Sequence, residues 1–246
     1  MPLRKARGDM YPFITHTWNP IKGKCPHGCS YCYVDRIARR FGTEQTAPHL
    51  DECELRVNLG TDNYIFIGSS IDLFAEGVRD IDICRALQHA GKFKNRYLLQ
   101  SKHPARALFF LDSFPFNYRT EDEYSDIKYS DNVIFATTAE TNRHYPAVMG
   151  NAPQAEERLG ELEKFPIPTM VTVEPIMDFD LGNFASMLMH TQAQINIGAD
   201  SGHNGLPEPS ADKVRDLIDI LARNGARVLL KKNLRRILPE HELYAV

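Results

Sequence analysis

The chain has 246 residues, 43% of them hydrophobic and 25% charged, enough to bury a full core in one large α/β domain. Its 32 acidic and 29 basic residues leave a net charge of −3, so no global field draws it to nucleic acid or an anionic membrane, although a local basic face is compatible with that balance. Five cysteines, an odd number, with no secretory leader and no apolar run of membrane length, argue against a disulfide scaffold and predict a reducing, cytoplasmic setting. Met1–Asp9 is basic and poor in apolar groups, so residues 1–10 read as an arm ahead of a single domain over 11–246. Tyr11–Thr17 predicts the first strand, stopped at Trp18-Asn19-Pro20 because Pro20 cannot donate into a ladder. A thiol-rich loop follows, Cys25-Pro26-His27-Gly28-Cys29-Ser30-Tyr31-Cys32-Tyr33, with Pro26 and Gly28 supplying turns. Tyr33, Ile37 and Phe41 then recur at helical spacing up to a stop at Gly42, with Arg36, Arg39 and Arg40 on the other side as a solvated face.

Thr43–Asn63 is a polar connection in which Leu55, Val57 and Leu59 alternate over a possible short strand, and Cys53 reads as a small buried residue. A rhythm begins beyond it. Tyr64–Ile67, Arg96–Leu99, Asn132–Thr137, Thr169–Val173, Gln194–Ile197 and Arg227–Leu230 predict strands. Val78–Ala90, Pro104–Leu111, Pro153–Lys164, Asn183–His190 and Ser210–Arg223 predict the helices between them, with Cys84 on an inner helix face. Residues 113–131, with the acidic run Glu121-Asp122-Glu123, read as a surface insertion. Strands alternating with helices imply right-handed crossovers and a parallel sheet, which could be doubly wound or an open or partial barrel.

The thiols carry the chemistry. Cys25, Cys29 and Cys32 fall within eight residues as Cys-x3-Cys-x2-Cys. Structural zinc takes a closed set of four ligands, and a cubane iron–sulfur cluster usually takes four cysteines. With three at hand, either a remote residue closes the site, Cys53 or His27 for zinc, or one metal position is left to a ligand that is not protein. Zinc knuckles generally pair two Cys-x2-Cys units, and the sequence has no second pair.

Ligands of parallel α/β folds lie beyond the carboxyl ends of the strands. Those ends present Gly68-Ser69-Ser70 with Asp72, then Gln100-Ser101-Lys102-His103, then Thr137-Thr138 with Glu140 and Asn142. Later ends present Glu174-Pro175, Gly198-Ala199-Asp200-Ser201-Gly202 and Lys231-Lys232-Asn233. Helix capping and wet loops explain Ser69, Ser70 and Thr138. Glu174 and Lys231, directly after apolar strands, are costly to desolvate without partners.

At the thiol loop the sequence resembles the radical S-adenosylmethionine (radical SAM) superfamily, whose motif Cys-x3-Cys-x-aromatic-Cys is matched by Cys25, Cys29, Tyr31 and Cys32. It is also similar to an uncharacterised branch found in phages and prophages. The resemblance implies a partial (β/α)6-type TIM barrel in which Cys25, Cys29 and Cys32 hold three irons of a 4Fe–4S cluster. S-adenosylmethionine chelates the fourth iron and is cleaved to a 5′-deoxyadenosyl radical that takes hydrogen from a substrate. A low-potential donor such as flavodoxin or ferredoxin supplies the electron. The family's Gly-Gly-Glu place reads Gly68-Ser69-Ser70 here, which implies Ser69, Ser70 and Asp72 near the methionyl amine. Ser101 and Lys102 would then meet the carboxylate, Thr137 and Glu140 the ribose, with Tyr31 and Asp200 also at the cofactor and Glu174 and Lys231 at the substrate. The substrate has no motif. The basic cluster Lys231, Lys232, Arg235 and Arg236 keeps nucleic acid open as one, as for lesion-repair lyases, and a non-catalytic zinc-stabilised binding module is the reading from another class.

Overall fold

Side chains alternate across a strand, so apolar residues at both parities mean a sheet covered on both faces. The computed structural model describes residues 2–6, 11–43, 46–113 and 132–238. The insertion expected over 113–131 therefore lies outside the described residues, apart from Ser113 at a helix end.

The strands of the main sheet are β1 (Arg4–Lys5), β2 (His16–Trp18), β5 (Tyr64–Ile67), β6 (Arg96–Gln100), β7 (Val133–Thr138), β8 (Thr169–Val173), β9 (Gln194–Ile197) and β10 (Val228–Leu230). They lie side by side in that order, and all neighbours are parallel except β1, which pairs antiparallel with β2 through Arg4 and Thr17. The order never reverses, as it would in a doubly wound sheet. Right-handed crossovers that always step the same way put the helices that pack on the sheet on one face. The helices α2 (Asp80–Ala90), α3 (Pro104–Ser113), α5 (Ala155–Leu162), α6 (Leu181–His190) and α7 (Ala211–Arg223) form that layer, with α3 against α5, α5 against α6 and α6 against α7.

Under the helices lies the main core, to which the strands contribute Ile65, Ile67, Tyr97, Leu99, Phe135, Val171, Val173, Ile195 and Ile197. The opposite parity, Phe66, Leu98, Ala136 and Met170, makes a second apolar patch on the other face, covered by Tyr11, Phe13 and Ile14. Each large aliphatic side chain so buried contributes roughly 1.5–3 kcal/mol. The amino-terminal stretch 11–14 is thus a packing segment, turned by a hydrogen bond from Ile14 N to Tyr11 O (3.0 Å), and the first parallel strand is shorter than the sequence predicts.

Three local expectations are corrected. Residues 43–63 contain no strand through Leu55–Leu59; β4 (His49–Leu50) pairs instead with β3 (Ile21–Lys22), and Glu54–Arg56 is a 3-10 turn. Cys53 sits exposed just before that turn rather than buried. The helix α1 (Tyr33–Phe41) ends at Gly42 as expected, in the left-handed conformation (φ 60°), but its apolar stripe is exposed and nothing in it is buried. By contrast α7 opens on Ser210, whose Oγ accepts from Lys213 N (3.3 Å), and buries Val214, Leu217 and Leu221. No helix among the described residues is long and apolar enough to cross a membrane.

Candidate functional site

Parallel strands end on one edge of the sheet, so everything that follows them meets there. A cavity of about 510 Å³ opens at that edge, within the range of small-molecule sites. It is lined by Cys25, Cys29 and Cys32 with Tyr31, by Ser69, Ser70 and Asp72, by Ser101 and Lys102, and by Glu174, Asp200 and Lys231. Two expected residues do not line it. Thr137 has the parity of Phe135, faces the helix layer, and donates to Ser101 O (2.7 Å); the next residue, Thr138, lines the cavity. Glu140 is fully buried behind the wall.

The thiol loop is held by its backbone from outside the cavity. The short helix α4 (Pro146–Met149) and the turn after it supply Val148 O to Ser30 N (2.9 Å) and Asn151 N to His27 O (2.8 Å). Gly150 (φ 61°) makes this approach feasible, since a Cβ there would fall 2.0 Å from His27 O. The three thiols line the cavity, and all five cysteines are free. Burial pushes the Cys25 thiol up to about 11, so metal binding there would release a proton. Among the described residues no group of three His, Cys, Asp or Glu side chains is placed to hold a single metal ion. A cubane asks something else, that each thiolate take a different iron. Three unpaired thiols on a braced loop, with a cavity beside them, are a donor set that fits such a cluster.

Asp72 ties that loop to the strand ends. Its Oδ2 accepts from His27 Nε2 (2.8 Å), Ser101 Oγ (3.0 Å) and Lys102 N (2.8 Å), while Oδ1 accepts from Phe74 N (2.9 Å). Burial alone would raise its pKa, but the bonds from His27, Lys102 and Ser101 outweigh burial and hold the carboxyl below its ordinary value. With four donors engaged, Asp72 is a brace first. Asn19 plays a similar part for the next turn, its Oδ1 accepting from Ser69 Oγ (3.2 Å) and Ser70 N (2.9 Å).

Behind the loop sits a buried charge network. Glu140 accepts from Arg158 Nη2 (2.8 Å), Lys102 Nζ (2.9 Å) and the Tyr31 hydroxyl, and Arg158 Nη1 donates to Thr138 O (2.6 Å). Burial pushes Glu140 up, yet the Arg158 and Lys102 charges drive it far below the usual carboxylate range. Lys102 also lies 3.3 Å from Cys29 Sγ and 4.5 Å from the Tyr31 ring centroid. Glu140 therefore positions Tyr31 and Lys102 rather than facing the cavity itself.

The far wall is built differently. Glu174 pairs with Lys231, accepts from Asn233 Nδ2 (2.5 Å), and lies against Gly198, whose Cβ would be 2.9 Å from Oε1. Lys231 Nζ stands 5.0 Å from the Tyr11 ring centroid. The Tyr11 hydroxyl donates to Gln100 Oε1 (2.9 Å) and shares a hydrogen bond with Thr172 Oγ1; burial raises its pKa, so the phenol stays protonated. Asp200 spends its carboxylate on its own turn, accepting from Gly202 N (2.9 Å), Asn204 N (2.5 Å) and Asn204 Nδ2 (2.7 Å).

Sequence reasoning passed over His27 as a brace, Arg158, Gly150 and Tyr11. Arg158 alone carried a signal: it lies between Ala155, Leu159 and Leu162 on the buried face of α5.

No family model and no curated protein matches the sequence. Solved structures do match in fold. One is spore photoproduct lyase complexed with dinucleoside spore photoproduct: 11% identity and a TM-score of 0.50 over 88% of this chain and 63% of that one. Another is a variant of spore photoproduct lyase with bound AdoMet and dinucleoside spore photoproduct: 10% identity and a TM-score of 0.50 over 90% and 66%. The chain spans just under two-thirds of the length of the proteins it matches, and at such identity the likeness is one of fold.

Proposed function

We propose that this chain is a radical SAM enzyme with the architecture of an open, partial barrel. Carrying this reading is one observation: three thiols free of disulfides, on a loop braced through its backbone and through the His27 and Tyr31 side chains, line a cavity at the carboxyl edge of a sequentially wound parallel sheet. Cys25, Cys29 and Cys32 would hold a 4Fe–4S cluster, with S-adenosylmethionine across the ends of β5, β6 and β7. When bound, that pair supplies one-electron cleavage of the sulfonium bond and a radical able to take hydrogen from a C–H bond.

The chain's own residues do the rest. Asp72 and His27 fix the thiol loop against the strand ends, a proximity device that needs no motion at the moment of reaction. Lys102, whose ammonium is engaged by Glu140, the Tyr31 hydroxyl and Cys29 Sγ, lines the cavity and sets a positive charge beside a ligand carboxylate there. Ser69 and Ser70, on the turn that Asn19 holds, offer polar groups to its amine. Tyr11 closes the inner end with a neutral phenol, and Glu174 with Lys231 faces the substrate. The Cys29→Ala variant is expected to lose both the cluster's visible absorbance and 5′-deoxyadenosine formation; retention of either sinks the assignment.

Nucleic acid is the second reading, favoured by the fold likeness to spore photoproduct lyase over most of this chain. The carboxy-terminal basic cluster lends it half the support its composition promised. Lys231 and Arg236 are neutralised by Glu174 and Glu208, leaving Lys232 and Arg235 exposed. Salt-dependent binding of a DNA duplex or single strand is its test. A zinc module is less well supported, because His27 Nε2 is engaged by Asp72 and Cys53 does not line the cavity.

A further inference from the structure

We infer that the outward face of α1 is the docking site for an acidic protein that carries a low-potential one-electron centre, an inference that rests on the cluster reading above. Ile37 and Phe41, one turn apart, are 49% and 71% exposed on a helix with no buried residue, while Tyr33, one turn earlier, lines the cavity and donates its hydroxyl to Ser69 O (2.7 Å). This helix is also a wall of the cavity. Cys32 stands at its amino terminus, Val34 and Arg36 line the cavity, and Arg36 Nη1 donates to Gly202 O (2.8 Å) across the mouth. The first turn of α1 therefore meets the site through Tyr33, Val34 and Arg36, and Ile37 with Phe41 carries its apolar side on from there out to solvent.

Its charge is opposite to that of the whole chain. Arg36, Arg39 and Arg40 against Asp35 give α1 a formal +2 (three minus one) in a chain of net −3, and Lys24 lies exposed beside Cys25. The Arg40 guanidinium stands 5.7 Å from the Phe41 ring centroid, so basic and apolar groups form one patch. An apolar centre with a positive rim complements a protein surface with an acidic rim. A phosphate backbone would use the arginines and leave Ile37 and Phe41 without partners. The transfer is simple: one electron leaves the docked carrier and enters the thiol-held cluster, and no bond forms or breaks.

The test uses the full chain with its cluster reconstituted, and reduced flavodoxin and reduced ferredoxin as probes. Two double variants, Ile37→Asp with Phe41→Asp and Arg39→Glu with Arg40→Glu, are compared with the unaltered chain. Reduction of the cluster by the protein probes is expected to slow about tenfold or more in both. The arginine variant is expected to lose the fall in rate that added salt causes in the unaltered chain. Reduction by dithionite and iron content are expected to stay unchanged. Wild-type rates with both protein probes in both variants would overturn the inference, as would a loss confined to binding of a DNA oligonucleotide. An unaltered chain that takes up no cluster overturns the reading beneath it as well, and the two failures are told apart by absorbance alone.

Discussion

The two walls of the cavity use the same residue types and hold them in different ways. On the amino-terminal side Glu140 and Arg158 are fully buried, and Glu140 is contacted from the thiol loop, from the end of β6 and from α5. On the carboxy-terminal side Glu174 and Lys231 keep 19% and 15% of their side chains exposed and line the cavity directly. A buried charge with several partners fixes geometry and couples the site to the stability of the fold. A pair open to the cavity can exchange partners with a ligand at little cost. The first wall is built to hold a cofactor loop still, and the second to discriminate what enters.

The largest expected effect breaks the first wall. Glu140→Gln would leave the Arg158 guanidinium buried without an opposite charge, which costs about 3–5 kcal/mol. In a chain of this size that is a fall in Tm of roughly 6–20 °C, measured by thermal melting. The same network sets a pH dependence. Because the folded state depresses the Glu140 pKa, its stabilisation is fully present above the ordinary glutamate value of about 4.5 and drains away as pH falls below it. The Gln variant should melt with a flatter acid limb than the unaltered chain. Equal acid limbs would mean that Glu140 is not the coupled group.

A smaller effect comes from the brace. Asp72→Asn places an amide where Oδ2 accepts from three donors or Oδ1 from one, leaving at least one donor unsatisfied at about 1–3 kcal/mol. The loss should be visible in a melt without metal, before any cluster is present. If Asp72 serves only a ligand, the metal-free melt will not move.

These two networks also mark where the sequence was legible. Strand existence came from apolar runs, and Tyr64–Ile67, Thr169–Val173 and Gln194–Ile197 have the bounds expected of them. Their parity did not, because both faces of the sheet are covered and Val133, Ile134, Phe135 and Ala136 are all apolar. That is why Thr137 was expected in the cavity and Thr138 is found there. Helical spacing had a similar limit. It grouped Tyr33, Ile37 and Phe41, but periodicity says which residues share a face and not whether anything covers it: at similar spacing on α7, Val214, Leu217 and Leu221 are buried. The brace from Asp72 to His27 joins residues 45 apart in the chain, and only the folded sheet brings them together.

The smallest stability effect should fall on the second wall. Glu174→Gln keeps an acceptor for Asn233 Nδ2, and the Lys231 ammonium it leaves can turn to water in the cavity, so the cost is about 1 kcal/mol or less. Activity should respond the other way. If Glu174 faces the substrate, the variant will still form 5′-deoxyadenosine from S-adenosylmethionine when no substrate is present, while conversion of substrate falls. The pair of readouts separates the walls: a Glu174 variant that melts as early as the Glu140 variant, or that stops both reactions together, would show that the far wall is part of the same rigid frame and that the contrast between them is false.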